Sequence, residues 1–285
     1  MAAWYWMDGT FVPEAEAKVH VHDLGLLRGY GIFDFFPVIR GVPLFVEDYL
    51  SRFENSAQLM DLDLNFTKEE LRGIILQLVK HNDTPNAYIR LLLTGGVSEN
   101  GFSPQRPTLI IMQHDYEKYR AGVPKGGIKL ITEQYVRDTP EAKTTNYLHV
   151  IRLRKKLAEE GAADVLYHDG KFITESSRSN FFILKKDGTL VTAKSNVLPG
   201  VTLKNLLEAS KEHFKVEVRD LPLKELAEAQ EAFLCSTLKG VPPVLQIDNQ
   251  RIGDGKPGKW AQELQKLFQN RANRYIENKT LLMRD

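Results

Sequence analysis

Glu141-Ala142-Lys143-Thr144-Thr145-Asn146-Tyr147-Leu148 sets a lysine ahead of small polar residues and an Asn-Tyr-Leu that opens a helix. A lysine becomes an imine-forming nucleophile when partial burial lowers its pKa and an electrophile stands nearby. Alone, Lys143 reads as a solvated surface lysine, so its meaning depends on its neighbours. A strand over Ile128 to Gln134 precedes it, and the following helix, about Tyr147 to Glu160, places Leu148, Ile151, Leu153 and Leu157 on one buried stripe.

Upstream the chain reads as strand-rich. Asp8-Gly9 turns one hairpin and Arg40-Gly41 closes a second, within Ile32 to Val46. Helices follow over Glu47 to Met60 and from Thr67, whose hydroxyl caps the helix while Glu70 completes a capping box. Strands return at Ala87 to Thr94 and Thr108 to Met112. Gly122, Pro124, Gly126 and Gly127 then mark a boundary: a smaller N-terminal domain over 1–118, a linker over 119–127 and a larger domain over 128–285. Downstream, Asp169-Gly170 and Asp187-Gly188 turn two more hairpins. A helix from Val201-Thr202, strands at Lys215 to Val218 and Ala232 to Ser236, and a long helix from Lys259 complete the chain. Strands and helices in two clusters, without regular β-α-β alternation, predict an α+β protein of two domains.

Composition narrows the function. With 285 residues, 42% of them hydrophobic, the chain can bury a sizeable core, and 38 basic against 37 acidic residues leave no surplus to hold a nucleic acid. A small-molecule partner is the default. One cysteine, Cys235, cannot make an internal disulfide, and the scattered histidines, His20 and His22 included, read as surface strand positions rather than metal ligands. No secretory signal and no apolar run approaching the ~20 residues of a membrane span are evident, so no membrane association and a cytoplasmic location are expected.

Three further segments carry chemistry. Thr174-Glu175-Ser176-Ser177-Arg178-Ser179-Asn180-Phe181 lies in a predicted strand, Leu198-Pro199-Gly200-Val201-Thr202 launches a helix whose free amides suit a phosphate, and Phe233-Leu234-Cys235-Ser236-Thr237 ends a strand in hydroxyls. Together with the Lys143 segment, their order and spacing resemble the class IV aminotransferases, from about Asp23 to the C-terminal helix. Arg52, in Tyr49-Leu50-Ser51-Arg52-Phe53, resembles that family's phosphate-clamping arginine, with Tyr49 in place of the usual histidine.

The resemblance implies a two-domain class IV (D-amino-acid aminotransferase-like) fold with pyridoxal 5′-phosphate between the domains, in a homodimer. It implies Lys143 as the catalytic residue that holds the cofactor as a Schiff base, Glu175 facing the pyridine nitrogen, and Tyr147 at the phenolic oxygen. Further cofactor contacts are implied at Arg52, Ser179, Asn180, Val201, Thr202, Ser236 and Thr237. Arg178 departs from the family's small residue, and neither it nor Lys239 receives a role.

The substrate is less determined. Tyr88-Ile89-Arg90 resembles a strand of branched-chain aminotransferases, but their Gly-Thr-Ala-Ala loop is replaced by Ser236-Thr237-Leu238-Lys239-Gly240-Val241. The Arg-x-His pair of D-amino-acid enzymes is also missing. Arg28 stands where relatives place an aromatic pocket residue, and with Arg90 it makes a pair suited to a bidentate carboxylate. The expectation is therefore a ping-pong D-amino-acid aminotransferase acting on an amino acid and a 2-oxo acid, with Arg28, Phe33, Tyr88, Arg90 and Leu238 facing substrate. A branched-chain L-amino-acid aminotransferase, an aminodeoxychorismate lyase and a cofactor-free binding relative remain alternatives.

Overall fold

The computed structural model describes residues 3–120 and 126–282. Two compact units emerge. The first comprises Met1–Ala121, Glu141–Asn146 and Arg274–Asp285, and the second Gly122–Pro140 and Tyr147–Asn273. The Lys143 segment and the end of the C-terminal helix thus count with the first unit, whereas the sequence reading assigned everything from 128 onward to the second. Most of the 119–127 linker, 121–125, lies outside the described residues.

The first unit is built on a six-stranded antiparallel sheet. Its strands are β1 (Trp4–Met7), β2 (Thr10–Pro13), β3 (Gly31–Ile39), β4 (Val42–Pro43), β5 (Ala87–Thr94) and β6 (Thr108–Asp115), in the order β2-β1-β6-β5-β3-β4. Short helices α1 (Leu24–Arg28) and α4 (Tyr116–Arg120) flank it, while α2 (Val46–Leu59) and α3 (Lys68–His81) pack on it. Helix α3 starts at the expected capping box, with the Thr67 hydroxyl accepting from the Glu70 amide and the Glu70 carboxylate accepting from the Thr67 amide. Its buried Leu71, Ile75, Leu78 and Val79 recur at helical spacing and join Leu50 and Phe53 of α2 in a core over Phe36, Ile89, Leu91 and Ile111. Alternation along β3 and β5 turns Phe33, Phe35, Tyr88 and Arg90 to the opposite face.

The second unit carries a ten-stranded sheet. Strands β7 (Ile128–Gln134), β8 (Asp164–His168), β9 (Phe172–Ser176), β10 (Ser179–Lys185), β14 (Ala229–Cys235) and β15 (Pro243–Ile247) close on themselves, because β9 pairs with both β8 and β10. Strands β11 (Thr189–Thr192), β12 (Lys215–Val218), β13 (Leu221–Pro222) and β16 (Gln250–Arg251) extend it. Parallel pairs β7–β8 and β11–β12 are each joined by a connection containing helix, as parallel strands require. Helix α7 (Val201–Ser210) and the first turns of α8 (Lys259–Leu282) bury Leu203, Leu206, Ala261 and Leu264 against Phe182 and Phe233.

Two expectations fail here. The single helix after Tyr147 is two short ones, α5 (Leu148–Arg152) and α6 (Arg154–Glu159), broken at Leu153. Val150, Leu153 and Leu157 pack on Ile131, Val165 and Tyr167, but Leu148 and Ile151 are 65% and 58% exposed, because the helical repeat turns them to the side away from Leu153 and Leu157. His20 and His22 are at the surface as expected, yet in turn and irregular backbone rather than strand. Among the described residues no helix is long and apolar enough to cross a membrane, and no group of acidic, histidine or cysteine side chains is arranged to hold a metal.

Candidate functional site

In the first unit, the Lys143 segment lies along the start of β3. The Phe33 amide donates to the Lys143 carbonyl at 2.9 Å, and the Thr145 amide and hydroxyl donate to the Gly31 carbonyl at 2.9 and 3.1 Å. This approach is close: a Cβ on Gly31 would stand 2.9 Å from the Leu93 carbonyl oxygen and 3.5 Å from the Thr145 hydroxyl. The Lys143 amide donates to the Ser56 hydroxyl. So held, the half-buried Lys143 directs its ammonium over the Phe33 ring, 4.6 Å from the centroid.

Arg90 shares that neighbour. Its guanidinium carbon lies 5.8 Å from the Phe33 centroid and 5.2 Å from that of Phe35, directly across the β3–β5 pair. Its Nε is buried with no hydrogen-bond partner. Tyr88 supports this floor from behind, stacked between Phe35 and Tyr116 at 4.9 and 5.1 Å. His114, beside Tyr119, has its pKa pushed down to about 4 by burial and by the nearby Arg90 charge, so it is neutral and adds no competing cation at pH 7. Arg28 is elsewhere: it ends α1, exposed, with Nη1 donating to the Leu27 carbonyl at 3.0 Å. Among the described residues no hydrogen bond or ring contact joins it to Arg90.

On the other face of the sheet, Arg52 makes a two-pronged contact with Asp34, Nε to Oδ2 at 3.0 Å and Nη2 to Oδ1 at 2.7 Å. Asp34 is fully buried, and Tyr49, in the place of the expected histidine, lies under the guanidinium at 5.2 Å. Such a fork fixes the arginine's plane.

The second unit gathers the remaining candidates at the start of α7. Glu175 on β9 is 5% exposed; its Oε2 accepts from the Leu198 amide at 3.0 Å, while Asn180, paired across from it on β10, donates to the Leu198 carbonyl at 2.9 Å. The two side chains thereby hold both ends of the Leu198 peptide groups and aim Pro199-Gly200 into the helix. Gly200 is required by space, since a Cβ there would fall 1.8 Å from Asn180 Oδ1. Helix α7 has no side-chain cap, which leaves its first-turn amides for an anion. Thr202 and Thr237 hydroxyls meet at 3.5 Å, Val201 is buried beside them, and the Ser179 hydroxyl is buried without a partner. Ser236 and Leu238 lie half-buried in the loop after β14, and Tyr147 half-buried just ahead of α5.

Sequence reasoning missed Arg137. Its Nε donates to Glu175 Oε1 at 2.7 Å and its Nη2 to the Pro140 carbonyl. It is a lone cation in irregular chain between β7 and Lys143, and neither periodicity nor a motif singles it out. Arg178, exposed in the turn between β9 and β10, stays without a role.

A family model described as amino-transferase class IV matches residues 31–247. The chain is 30% identical to the D-alanine aminotransferase of Staphylococcus haemolyticus, over 96% of this chain and 98% of that one. It is also 30% identical to a putative branched-chain-amino-acid aminotransferase of Methanocaldococcus jannaschii, over 93% and 95%. Its fold matches the branched-chain amino acid aminotransferase of Escherichia coli, with a TM-score of 0.85 at 25% identity over 93% of each chain.

Proposed function

The chain belongs to the class IV aminotransferases, which work with pyridoxal 5′-phosphate, and on that premise we propose that it moves the amino group of a D-amino acid to a 2-oxo acid. The observation that carries the choice of hand is Arg90, a guanidinium on the same aromatic floor as Lys143 with a buried nitrogen that has no partner. A substrate carboxylate answers that need. An isobutyl side chain would leave the charge desolvated and unpaired, which is costly. Exchanging the positions of carboxylate and side chain at Cα presents the opposite enantiomer to the same base. The loop after β14 agrees, because the Lys239 amide is engaged by the Ser236 hydroxyl at 3.3 Å rather than offered to a carboxylate.

The residues present suit the cofactor: an uncapped helix start, paired threonine hydroxyls and the orphaned Ser179 hydroxyl make a phosphate cradle. When bound, pyridoxal phosphate supplies an electron-accepting ring that stabilises negative charge at the substrate Cα. Lys143 Nζ would anchor the cofactor, and its amine, when free, would carry the proton between the substrate Cα and C4′ of the cofactor. Glu175, held between Arg137 and the Leu198 amide, would keep a proton on the ring nitrogen. Tyr147 would donate to the phenolic oxygen, and Arg52, oriented by Asp34, would serve the phosphate. Arg28 does not join Arg90 within the chain, so a part for it in the trap requires the second copy of a homodimer.

Following the cofactor spectrum of the holoenzyme on addition of D-alanine, D-glutamate, L-leucine or L-glutamate tests the reading, with Lys143→Ala as control. The long-wavelength band is expected to disappear with the D-substrates alone. A response to L-leucine would instead establish a branched-chain enzyme, the reading that the Methanocaldococcus relative favours. A native protein without any band would sink the aminotransferase function itself.

A further inference from the structure

Lys239 replaces a small residue of the Gly-Thr-Ala-Ala loop of branched-chain enzymes, and its side chain is mostly buried. The side chain is 15% exposed, and Nζ donates to Asp164 Oδ2 at 2.8 Å. Asp164 opens β8 and is itself 1% exposed. Its other oxygen accepts from the Ser177 hydroxyl at 2.5 Å and from the Val165 amide at 2.9 Å. Burial pushes this carboxyl's pKa up, but the Lys239 ammonium, the Ser177 hydroxyl and the Val165 amide together hold it below the usual carboxylate range.

What matters is which segments meet there. Ser177 belongs to the turn between β9 and β10, two residues before Ser179. Lys239 belongs to the loop after β14, two residues past Thr237, and that loop is closed at its neck by paired backbone bonds between Ser236 and Gly240 at 3.1 and 2.9 Å. One buried carboxylate therefore fastens two pieces of chain beyond the end of the β10–β14 ladder, which stops at Asn180 and Cys235. Each piece carries hydroxyls of the cradle around the start of α7.

We propose that Asp164 is a positioning residue for the cofactor phosphate: through Lys239 it fixes the loop bearing Ser236 and Thr237, and through Ser177 the turn bearing Ser179. The proposal rests on the reading in which those hydroxyls bind the phosphate. A buried ion pair is weak ground for stability, because two uncharged groups of similar shape serve a core about as well. Its value here is geometric, since a hydroxyl displaced by a fraction of an ångström no longer reaches a phosphate oxygen.

The test compares Asp164→Asn/Lys239→Met, which removes both charges and leaves neither unpaired, with Thr202→Val/Thr237→Val, which strikes the hydroxyls directly. Full-length protein freed of cofactor is titrated with pyridoxal 5′-phosphate and with pyridoxal, which lacks the phosphate. The expected result for the charge-free pair is roughly a tenfold loss of affinity for the phosphate ester alone, a Tm near that of the parent, and a displaced phosphorus NMR resonance in the holoenzyme. Lys239→Arg, which keeps the ion pair, should leave the affinity for the phosphate ester and the phosphorus resonance at their parental values. An equal loss for both ligands would mean general damage and overturn the proposal, as would no loss for either. If the threonine variants also spare the phosphate ester, the phosphate reading falls and takes the proposal with it.

Discussion

Arg137 governs whether Glu175 can do its work. The carboxylate is 5% exposed and accepts from the Arg137 guanidinium and the Leu198 amide. Removing one member of such a buried pair costs about 3–5 kcal/mol unless the abandoned carboxyl takes up a proton. A carboxyl that takes up that proton could no longer hold a protonated ring nitrogen, the part proposed for Glu175. Arg137→Met is therefore expected to lower kcat roughly ten- to a hundredfold while KM changes little, because the substrate groups themselves are untouched. Arg137→Lys, which keeps the charge but loses the fork to Pro140, should recover part of the rate. Steady-state kinetics on both variants decide it: an unchanged kcat in Arg137→Met would show that Glu175 needs no counter-charge. The sequence offered Glu175 through a recognisable stretch, but Arg137 stands 38 positions away in irregular chain, and only folding brings the two together.

Among the elements, α7 is the one whose placement the cradle depends on, and its launch is set by a single missing side chain. Gly200 has an ordinary extended φ of −69°, so its glycine is demanded by the 1.8 Å approach of Asn180 Oδ1 rather than by backbone strain. Gly200→Ala must push Asn180 aside and cut its bond to Leu198, at about the 1–3 kcal/mol typical of overpacked sites. The holoenzyme should melt earlier and lose its cofactor band faster on dilution; a variant that keeps both would show the turn to be slack. Much at this scale was legible. The turns at Asp8-Gly9, Asp169-Gly170 and Asp187-Gly188, the Thr67 capping box and the start of α7 follow from local chemistry and stand where the sequence puts them. The α5–α6 break did not, because nothing local marks Leu153 as a helix end. The partition of the units was hidden for the same reason: Glu141–Asn146 joins the first unit through backbone bonds to Gly31 and Phe33, far away in sequence.

At the scale of the whole molecule, one surface of the first unit is unlike an ordinary solvated face. Val21, Leu26 and Phe102 are 64%, 65% and 79% exposed, and Val19, Leu27 and Val97 are also uncovered. They belong to two segments laid side by side, with the Leu24 amide donating to the Gly96 carbonyl and the Ser98 amide to the His22 carbonyl. Contiguous exposed apolar surface of this kind marks an interaction site, and a net charge of +1 opposes self-association little. A homodimer formed through this face would also carry Arg28, the last residue of α1, to the boundary where a carboxylate trap could draw on both copies. Leu26→Glu/Phe102→Asp is expected to turn a dimer into a monomer, read by light scattering on the eluting protein. Its activity then separates two arrangements of the trap. A monomer that keeps its rate with D-alanine would mean that Arg28 acts within its own chain or not at all, whereas a monomer that binds cofactor yet loses D-substrate turnover would mean that the partner supplies it. Arg28→Gln in the intact dimer removes the charge but keeps a polar side chain on the surface, so a raised KM for D-alanine there assigns the effect to the guanidinium rather than to assembly.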